Sequence, residues 1–260
     1  MRRHFVYHIT AAGLVLLLAA CASSPLGHRQ LQLFSQSELA QMGAESYRQI
    51  KQETPISHNA AINNYVACVA RALTRQVGGD WEITVFKSEQ INAFALPGGK
   101  IGVYTGLLDV AQGQNQLAAV IGHEIGHVLA DHSNARLSAQ FATSAGLQII
   151  AALAGGAGTV SQQAAMSALG LGAQVGLLLP YSRGQESEAD LIGLQIMARA
   201  GFDPRAAIDL WQNMSRAGGA APPELLSTHP SNQARMQSLR NHIDEAMRLY
   251  RQAQNHPHCG

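Results

Sequence analysis

Apolar residues three or four positions apart, the spacing of helices, cover most of the sequence. Near the start, Ser35 and Glu38 form an S-x-x-E pattern that is typical of a capping box, and they predict a helix ending at about Gln52. A second helix is predicted from Ser57 to about Gln76, where a Gly-Gly pair ends it. The first half of the chain is therefore predicted to begin with two helices.

Between residues 81 and 105 the spacing changes to the alternation of strands. Strands are predicted at 81–87, 92–96 and 101–105, and the Pro-Gly-Gly turn between the last two favours a small antiparallel sheet. From Leu107 onward the spacing is again helical, with later helices at 183–200, from Pro204 and at 231–252. The predicted fold class is α+β, predominantly helical, with one small antiparallel sheet.

The first twenty residues have the composition of an export signal. Arg2 and Arg3 precede an apolar core that is too short to span a bilayer comfortably. The run Leu-Ala-Ala-Cys21 that follows is similar to the lipobox of bacterial lipoproteins, and an ordinary signal peptide with an unmodified cysteine is the alternative. We expect a signal peptide at 1–20, a tether at 21–34 lipidated on Cys21, a domain at 35–252 and a tail at 253–260.

Charge and cysteine content narrow the function classes. Loss of Arg2 and Arg3 with the signal leaves 16 basic side chains against 17 acidic ones. This balance, without a concentrated basic face, argues against a nucleic-acid partner. In an oxidising compartment Cys68 and Cys259 are expected to form a disulfide, and two unpaired thiols are the alternative.

The segment 141–180 is rich in Ala, Gly and Leu, which is the composition of a buried helix or of a membrane span. Polar residues from Gln148 to Gln174 interrupt it, so it holds no apolar run of about 18 residues. We predict buried or interface helices here. A mobile or membrane-facing element within the segment is the alternative.

His123, Glu124 and His127 form the H-E-x-x-H pattern. Helical residues four apart lie on one face about 6 Å apart, so the two imidazoles can bind one metal ion. Glu124 is rotated by about 100° and lies beside the ion, where it can take a proton from an attacking water. The pattern predicts one catalytic Zn²⁺ per chain, and two surface histidines without a ligand are the alternative.

A catalytic zinc site needs a third protein ligand. His132 is one residue short of the third-histidine spacing that would fall on Ser133, so it is predicted to be a packing or helix-surface residue. Glu186 and Asp190, four apart in a later helix, are better placed. Glu186 is predicted to bind the metal, and Asp190 to accept a hydrogen bond from the outer nitrogen of a ligand histidine, while Glu188 points elsewhere. An ordinary acidic helix start is the alternative.

Five short blocks together resemble the M48 family of metallopeptidases. They occur in the family's order as Asn92–Gly99, Gly122–His127, Arg183–Asp190, Gly201–Pro204 and Ser227–Pro230 followed by Arg235. The resemblance implies a zincin-like metallopeptidase domain and a gluzincin-type zinc endopeptidase in which Glu186 is the third ligand. It also implies an exposed edge strand, formed by Asn92, Ala93, Phe94 and Ala95, that pairs with the backbone of many substrates.

The same resemblance places His229 and Arg235 near the metal. His229 then either donates to the oxyanion or fills the open metal position and keeps the enzyme latent. Arg235 then orients His229 or an acidic group near the metal. A turn histidine and a solvated arginine are the alternatives.

The absence of a convincing membrane span after the signal makes the chain similar to the periplasmic lipoprotein branch of the family. Ala22 and Ser23 after the cysteine imply the periplasmic face of the outer membrane. The expected function is cleavage of misfolded or misassembled envelope proteins. The alternative is a zinc-stabilised, mostly latent, chaperone-like lipoprotein of the outer-membrane assembly machinery.

Overall fold

The structure is a computed structural model that describes residues 21–153, 181–217, 224–230 and 233–260. The predicted signal at 1–20 lies outside these residues, as does the segment 141–180 beyond residue 153. Within the described ranges, none of the helices combines the length and the apolar character needed to cross a bilayer.

Residues 21–34, predicted as a tether, contain a β-hairpin that contacts the domain. Its strands β1 (Cys21–Ser23) and β2 (Arg29–Leu31) pair antiparallel. The Gln30 side chain donates to the carbonyl of Ala130 at 2.7 Å, and the amide of Leu33 donates to Ser138 Oγ at 2.8 Å. The hairpin and the residues after it are thus each hydrogen-bonded to the domain.

The two predicted N-terminal helices are present as α1 (Gln36–Glu53) and α2 (Ala60–Thr74). The capping box is confirmed, because Ser35 Oγ accepts from the amide of Glu38 at 3.3 Å and Glu38 Oε2 accepts from that of Ser35 at 2.8 Å. Helix α2 begins later than predicted because Asn59 caps it, its Oδ1 accepting from two backbone amides.

The sheet consists of β3 (Glu82–Phe86), β4 (Ala93–Leu96) and β5 (Lys100–Tyr104) in the order β3-β5-β4. Strands β4 and β5 are antiparallel, but β3 and β5 are parallel, so the prediction of a purely antiparallel sheet is wrong. The reason is the turn at Gly98 and Gly99, whose φ angles are +80° and +70°. The turn reverses the chain after β4, so that β5 lies between β4 and β3 and runs parallel to β3.

A short 3₁₀ turn (Thr105–Asp109) leads into the helical part of the fold. Its helices are α3 (Gln114–Leu129), α4 (His132–Leu153), α5 (Arg183–Arg199), α6 (Ala206–Ala217), α7 (Glu224–Thr228) and α8 (Gln233–Gln252). The predominantly helical α+β prediction is confirmed.

Strand β4 lies at the edge of the sheet, as the family resemblance implies, but it is not exposed. Its four residues keep only 2–6% of their surface accessible. The strand packs against α3 on one side and contacts α1 on another. The prediction of an exposed edge is therefore wrong for this structure, because helices cover the strand.

Helices α3 and α5 pack closely because glycines lie at their contact. A Cβ placed on Gly126 would lie 2.7 Å from the carbonyl oxygen of Ala189, and one on Gly193 would lie 2.6 Å from the amide nitrogen of His123. Side chains larger than hydrogen would force the helices apart. This close approach brings the acidic residues of α5 to the histidines of α3.

The predicted disulfide between Cys68 and Cys259 is present and joins the C-terminal tail to α2. The tail also reaches the first residue of α3, because Gln114 accepts from the amide of Cys259 at 2.8 Å and donates to the carbonyl of Pro257 at 2.6 Å. The start of the helix that carries the H-E-x-x-H pattern is thus fixed by the chain's own C-terminus.

Candidate metal centre

Four buried side chains converge between α3, α5 and the loop after α7. His123 and His127 come from α3, Glu186 from the first turn of α5, and His229 from the residue after α7. One ligand atom from each lies within 4.8 Å of the others. The structure thus brings the three predicted ligands together and has His229 beside them, in the position that the family resemblance implies.

The separations of these atoms suit a small tetrahedral ion. Nε2 of His123 lies 3.0 Å from Nε2 of His127 and 3.5 Å from Glu186 Oε2. Nδ1 of His229 lies 3.2 Å from His123 Nε2 and 2.9 Å from Glu186 Oε1. Ligands bonded to Zn²⁺ at 2.0–2.1 Å in a tetrahedron are about 3.3 Å apart, so this donor set fits zinc.

Asp190 contacts the outer nitrogen of His123, the first candidate ligand. Its Oδ1 lies 2.9 Å from Nδ1 of His123, the predicted contact with the outer nitrogen. Because a carboxylate only accepts, Nδ1 carries a proton, and Nε2 is the nitrogen that faces the other candidate ligands. Nε2 can therefore bind a cation in exchange for its own proton.

Arg235 fixes Asp190 and two other groups of the site. Nε and Nη2 donate to the two oxygens of Asp190, each at 2.7 Å, in the bidentate geometry typical of Arg and carboxylate pairs. Nη1 lies 2.6 Å from Glu186 Oε2 and donates to the carbonyl of His229 at 3.3 Å. Arg235 is 1% exposed, so the alternative of a solvated arginine is wrong. It contacts both of the groups that it was predicted to orient.

Glu124 lies next to the converging donors and outside them. Its Oε1 is 3.5 Å from Nε2 of His229, and its side chain is buried. This is the place that the one-residue offset from His123 predicts for a proton acceptor beside a metal.

A comparison with known protein families identifies the family of this chain. The model of peptidase family M48 matches residues 57–243, more than half of the chain.

This chain belongs to peptidase family M48.

Curated relatives agree with this assignment. The chain is 36% identical over 215 residues to mitochondrial metalloendopeptidase OMA1 of Schizosaccharomyces pombe, covering 79% of this chain and 61% of that protein. It is 31% identical over 213 residues to the beta-barrel assembly-enhancing protease of Yersinia pestis, covering 78% and 43%. It is 29% identical over 188 residues to metalloprotease YcaL of Escherichia coli, covering 72% of each chain. This M48 chain thus spans less than two thirds of the length of each of the first two relatives.

His127, the second candidate ligand of this M48 chain, contacts His132, which in turn contacts Glu188, and the sequence predicted other positions for both. Nδ1 of His127 lies 2.9 Å from Nδ1 of His132, and Nε2 of His132 lies 3.3 Å from Glu188 Oε2. The helix-surface alternative for His132 is wrong, because it is 0% exposed. Asp131 has a φ of +54°, which ends α3 and turns His132 back toward the site. Glu188, predicted to point elsewhere, faces this histidine.

Two aromatic residues that sequence reasoning missed line the site. The ring of Tyr181 stacks on His127 with centroids 3.8 Å apart, and the guanidinium of Arg136 lies 3.6 Å from the centroid of Tyr181. The ring of Trp211 contacts His123 edge to face at 5.7 Å and lies 4.2 Å from the guanidinium of Arg235. Trp211 follows the helical spacing of core residues, which gives no signal of a site, and Tyr181 lies just before a helix cap.

The two candidate ligand histidines differ in the direction of their pKa shifts. Burial alone lowers the pKa of His123, but hydrogen bonds to Asp190 and Glu186 outweigh it and raise the pKa to about 9. Burial lowers the pKa of His127 well below its usual value, and the contact with Glu186 does not offset this. The neighbouring histidines and Arg235 hold the pKa values of Glu186 and Asp190 down despite burial. Both acids are therefore anionic and suited to a cation.

Proposed function

We propose that this chain is a zinc-dependent endopeptidase. The observation that carries the proposal is the buried set of His123, His127 and Glu186, with the carboxylate of Glu124 beside it and outside it. Membership of family M48 supports it, and so do the relatives, which are named as metalloendopeptidases or proteases.

His123, His127 and Glu186 would hold the ion. When bound, zinc supplies a Lewis acid that polarises the scissile carbonyl and lowers the pKa of the attacking water. Glu124 accepts the proton of that water on a carboxylate oxygen and returns it to the leaving amine. Trp211 and Tyr181 wall the site and exclude bulk water, which strengthens these electrostatic contacts.

The position of His229 supports a second candidate, a latent state of the same protein. Its Nδ1 lies where a fourth tetrahedral ligand would lie, whereas its Nε2 faces Glu124. A site closed by four protein ligands leaves no position for water, as in structural zinc sites. The mostly latent, chaperone-like binder is therefore the second candidate function. If His229 turns away from the ion, it becomes the predicted donor to the oxyanion.

Substrate is proposed to pair with β4. Within the described part of the sheet this strand is hydrogen-bonded only to β5, so its other edge has backbone groups that can bind an extended peptide. Because Asn92, Ala93, Phe94 and Ala95 contribute mainly backbone to such pairing, many sequences would be accepted. The buried state of β4 requires that its cover open first.

The proposed substrates are misfolded or misassembled envelope proteins, and the proposed location is the periplasmic face of the outer membrane, with lipid on Cys21. Two bacterial relatives are named beta-barrel assembly-enhancing protease, which supports an envelope role. Mass spectrometry of the N-terminal peptide tests this location, since diacylglycerol on Cys21 is expected. An unmodified cysteine in protein from a native host would contradict the anchor.

The experiment compares the wild-type chain with Glu124→Gln and Glu186→Ala, using zinc content and hydrolysis of an unfolded protein. Glu124→Gln is expected to keep one equivalent of zinc and to lose about 10²–10⁴-fold in rate, because only the proton acceptor is removed. Glu186→Ala is expected to lose the zinc as well. Glu245→Gln, the same change at an exposed residue of α8, is the control and should be unchanged. Full activity of Glu124→Gln would refute the mechanism.

His229→Ala separates the two candidate functions. If Nδ1 closes the site, the variant gains hydrolysis over the wild type at equal zinc content. If His229 stabilises the oxyanion in an open site, the variant loses about 10²–10³-fold in rate. One equivalent of zinc with no hydrolysis in either form would favour the binder.

A further inference from the structure

The environment of His127 extends beyond the proposed ligands to the N-terminal hairpin. His132 lies behind His127, Glu188 lies behind His132, and both are buried. Glu188 in turn accepts a hydrogen bond from the backbone amide of Leu26 at 3.0 Å and one from the Ser24 hydroxyl. Ser24 and Leu26 belong to the turn between β1 and β2.

The chemistry of these groups fixes the direction of each hydrogen bond. The carboxylate of Glu188 can only accept, so Nε2 of His132 carries a proton. Nδ1 of His132 lies 2.9 Å from Nδ1 of His127, so one of these two nitrogens donates and the other accepts. A neutral imidazole has one N–H, and that of His132 is on Nε2, so its Nδ1 has the lone pair. That lone pair accepts from Nδ1 of His127. Nε2 of His127 is therefore unprotonated and faces the other ligand atoms, 3.0 Å from His123 Nε2 and 3.4 Å from Glu186 Oε1.

We propose that His132 and Glu188 are positioning residues for His127, and that the hairpin turn holds them through Ser24 and Leu26. The inference rests on the proposed function, because it assumes zinc at His123, His127 and Glu186. It assigns a role to the predicted tether. The segment that begins at Cys21 completes the support of one ligand, so its docking on the domain and the affinity for metal are coupled.

The first test removes the acceptor behind His127. His132→Phe keeps an aromatic ring but has no lone pair for Nδ1 of His127, whereas His132→Asn places an amide oxygen close to where Nδ1 of His132 lies. Zinc affinity of the full chain is measured by competition with a chromophoric chelator, and the Co²⁺ absorption spectrum reports ligand geometry. We expect His132→Phe to weaken zinc by about 10–100-fold, as is typical for such outer partners, and His132→Asn to recover most of that loss.

The second test addresses the hairpin and does not depend on the folding of the His132 variants. Ser24→Ala removes the hydroxyl that contacts Glu188 and is expected to weaken zinc by about 3–10-fold. Ser138→Ala is the matched control, because Ser138 accepts from Leu33 of the same N-terminal segment and donates to Asn134 instead of Glu188. It is expected to lower the melting temperature of the zinc-free chain while leaving the zinc Kd within about twofold of wild type.

The outcomes are distinguishable from failure of the proposed function. A wild-type chain that binds no zinc refutes the proposed function itself. A wild-type chain that binds zinc, with a His132→Phe variant of equal affinity and an unchanged Co²⁺ spectrum, overturns the positioning role. Equal weakening by Ser24→Ala and Ser138→Ala overturns the specific link through Glu188.

Discussion

The two proposed ligand histidines, His123 and His127, lie one helical turn apart, yet their outer nitrogens contact different kinds of group. Behind His123 there is a carboxylate, Asp190, clamped by the buried guanidinium of Arg235. Behind His127 there is a neutral ring, His132, and the charge of Glu188 is one residue further away, next to the N-terminal hairpin. One support is ionic and internal, and the other is neutral and ends at a surface segment.

The two supports are expected to affect different properties, the stability of the fold and the affinity for metal. Removing one partner of a buried ion pair strongly destabilises the fold. The contacts that support His123 therefore cannot be altered without a large loss of stability. The support of His127 ends in hydrogen bonds from a turn, which can be lost with a smaller change in stability. We infer that the first fixes the fold of the site and that the second can tune its affinity for metal.

Removal of Arg235 is expected to have the largest effect. Arg235→Ala leaves Asp190 buried and unpaired, so the free energy of unfolding of the zinc-free chain should fall by about 3–5 kcal/mol. Urea unfolding followed by circular dichroism measures it. Arg240→Ala, an exposed change in the same helix, should stay within about 0.5 kcal/mol of wild type. A loss below about 1 kcal/mol for Arg235→Ala would show that the ionic support is not structural.

A paired change of the two carboxylates compares the supports directly. Asp190→Asn weakens the acceptor that touches His123, so zinc affinity should fall by about 10–100-fold. Glu188→Gln acts through His132 and keeps an amide oxygen, so its effect should be about threefold or less. Chelator competition at one pH measures both. Equal losses would mean that the two supports are equivalent, and the comparison would fail.

The sequence predicted the ionic support but missed the neutral one, for physical reasons. Residues four apart on a helix share a face, so the spacing of Glu186 and Asp190 already relates metal ligand to outer partner. The contact of His132 with His127 depends instead on the positive φ of Asp131, which no local sequence pattern predicts. Glu188 shares its helix with Glu186 but not its face, so the spacing predicts that it points away from the site.

The pairing of the sheet and the burial of β4 were also beyond prediction from local sequence patterns. Strand positions follow from alternation, but the parallel pairing of β3 with β5 depends on where the Gly98-Gly99 turn sends the chain. Burial of β4 depends on α1 and α3, which are distant in sequence. The capping box at Ser35 and the close packing at Gly126 illustrate the difference, because the first is local and was predicted while the second needs both helices.

The smallest effect is expected from pH, and it has opposite signs at the two histidines. In the zinc-free chain the pKa of His123 is raised to about 9 from about 6.5, so its contribution to stability is present below pH 6.5 and is lost as pH rises through 9. The pKa of His127 is lowered, so its contribution is lost as pH falls below 6.5. Between pH 7 and 8 only the first acts, and unfolding should become easier by about 1 kcal/mol, measured by urea unfolding.

Zinc provides the control for this prediction. A metal ion on Nε2 of His123 replaces the proton there, so the zinc-loaded chain should not lose this stability between pH 7 and 8. A zinc-free chain of constant stability over that interval would contradict the charge assigned to His123. The two histidines would then differ in their partners but not in their protonation, and the contrast between an ionic and a neutral support would rest on Arg235 alone.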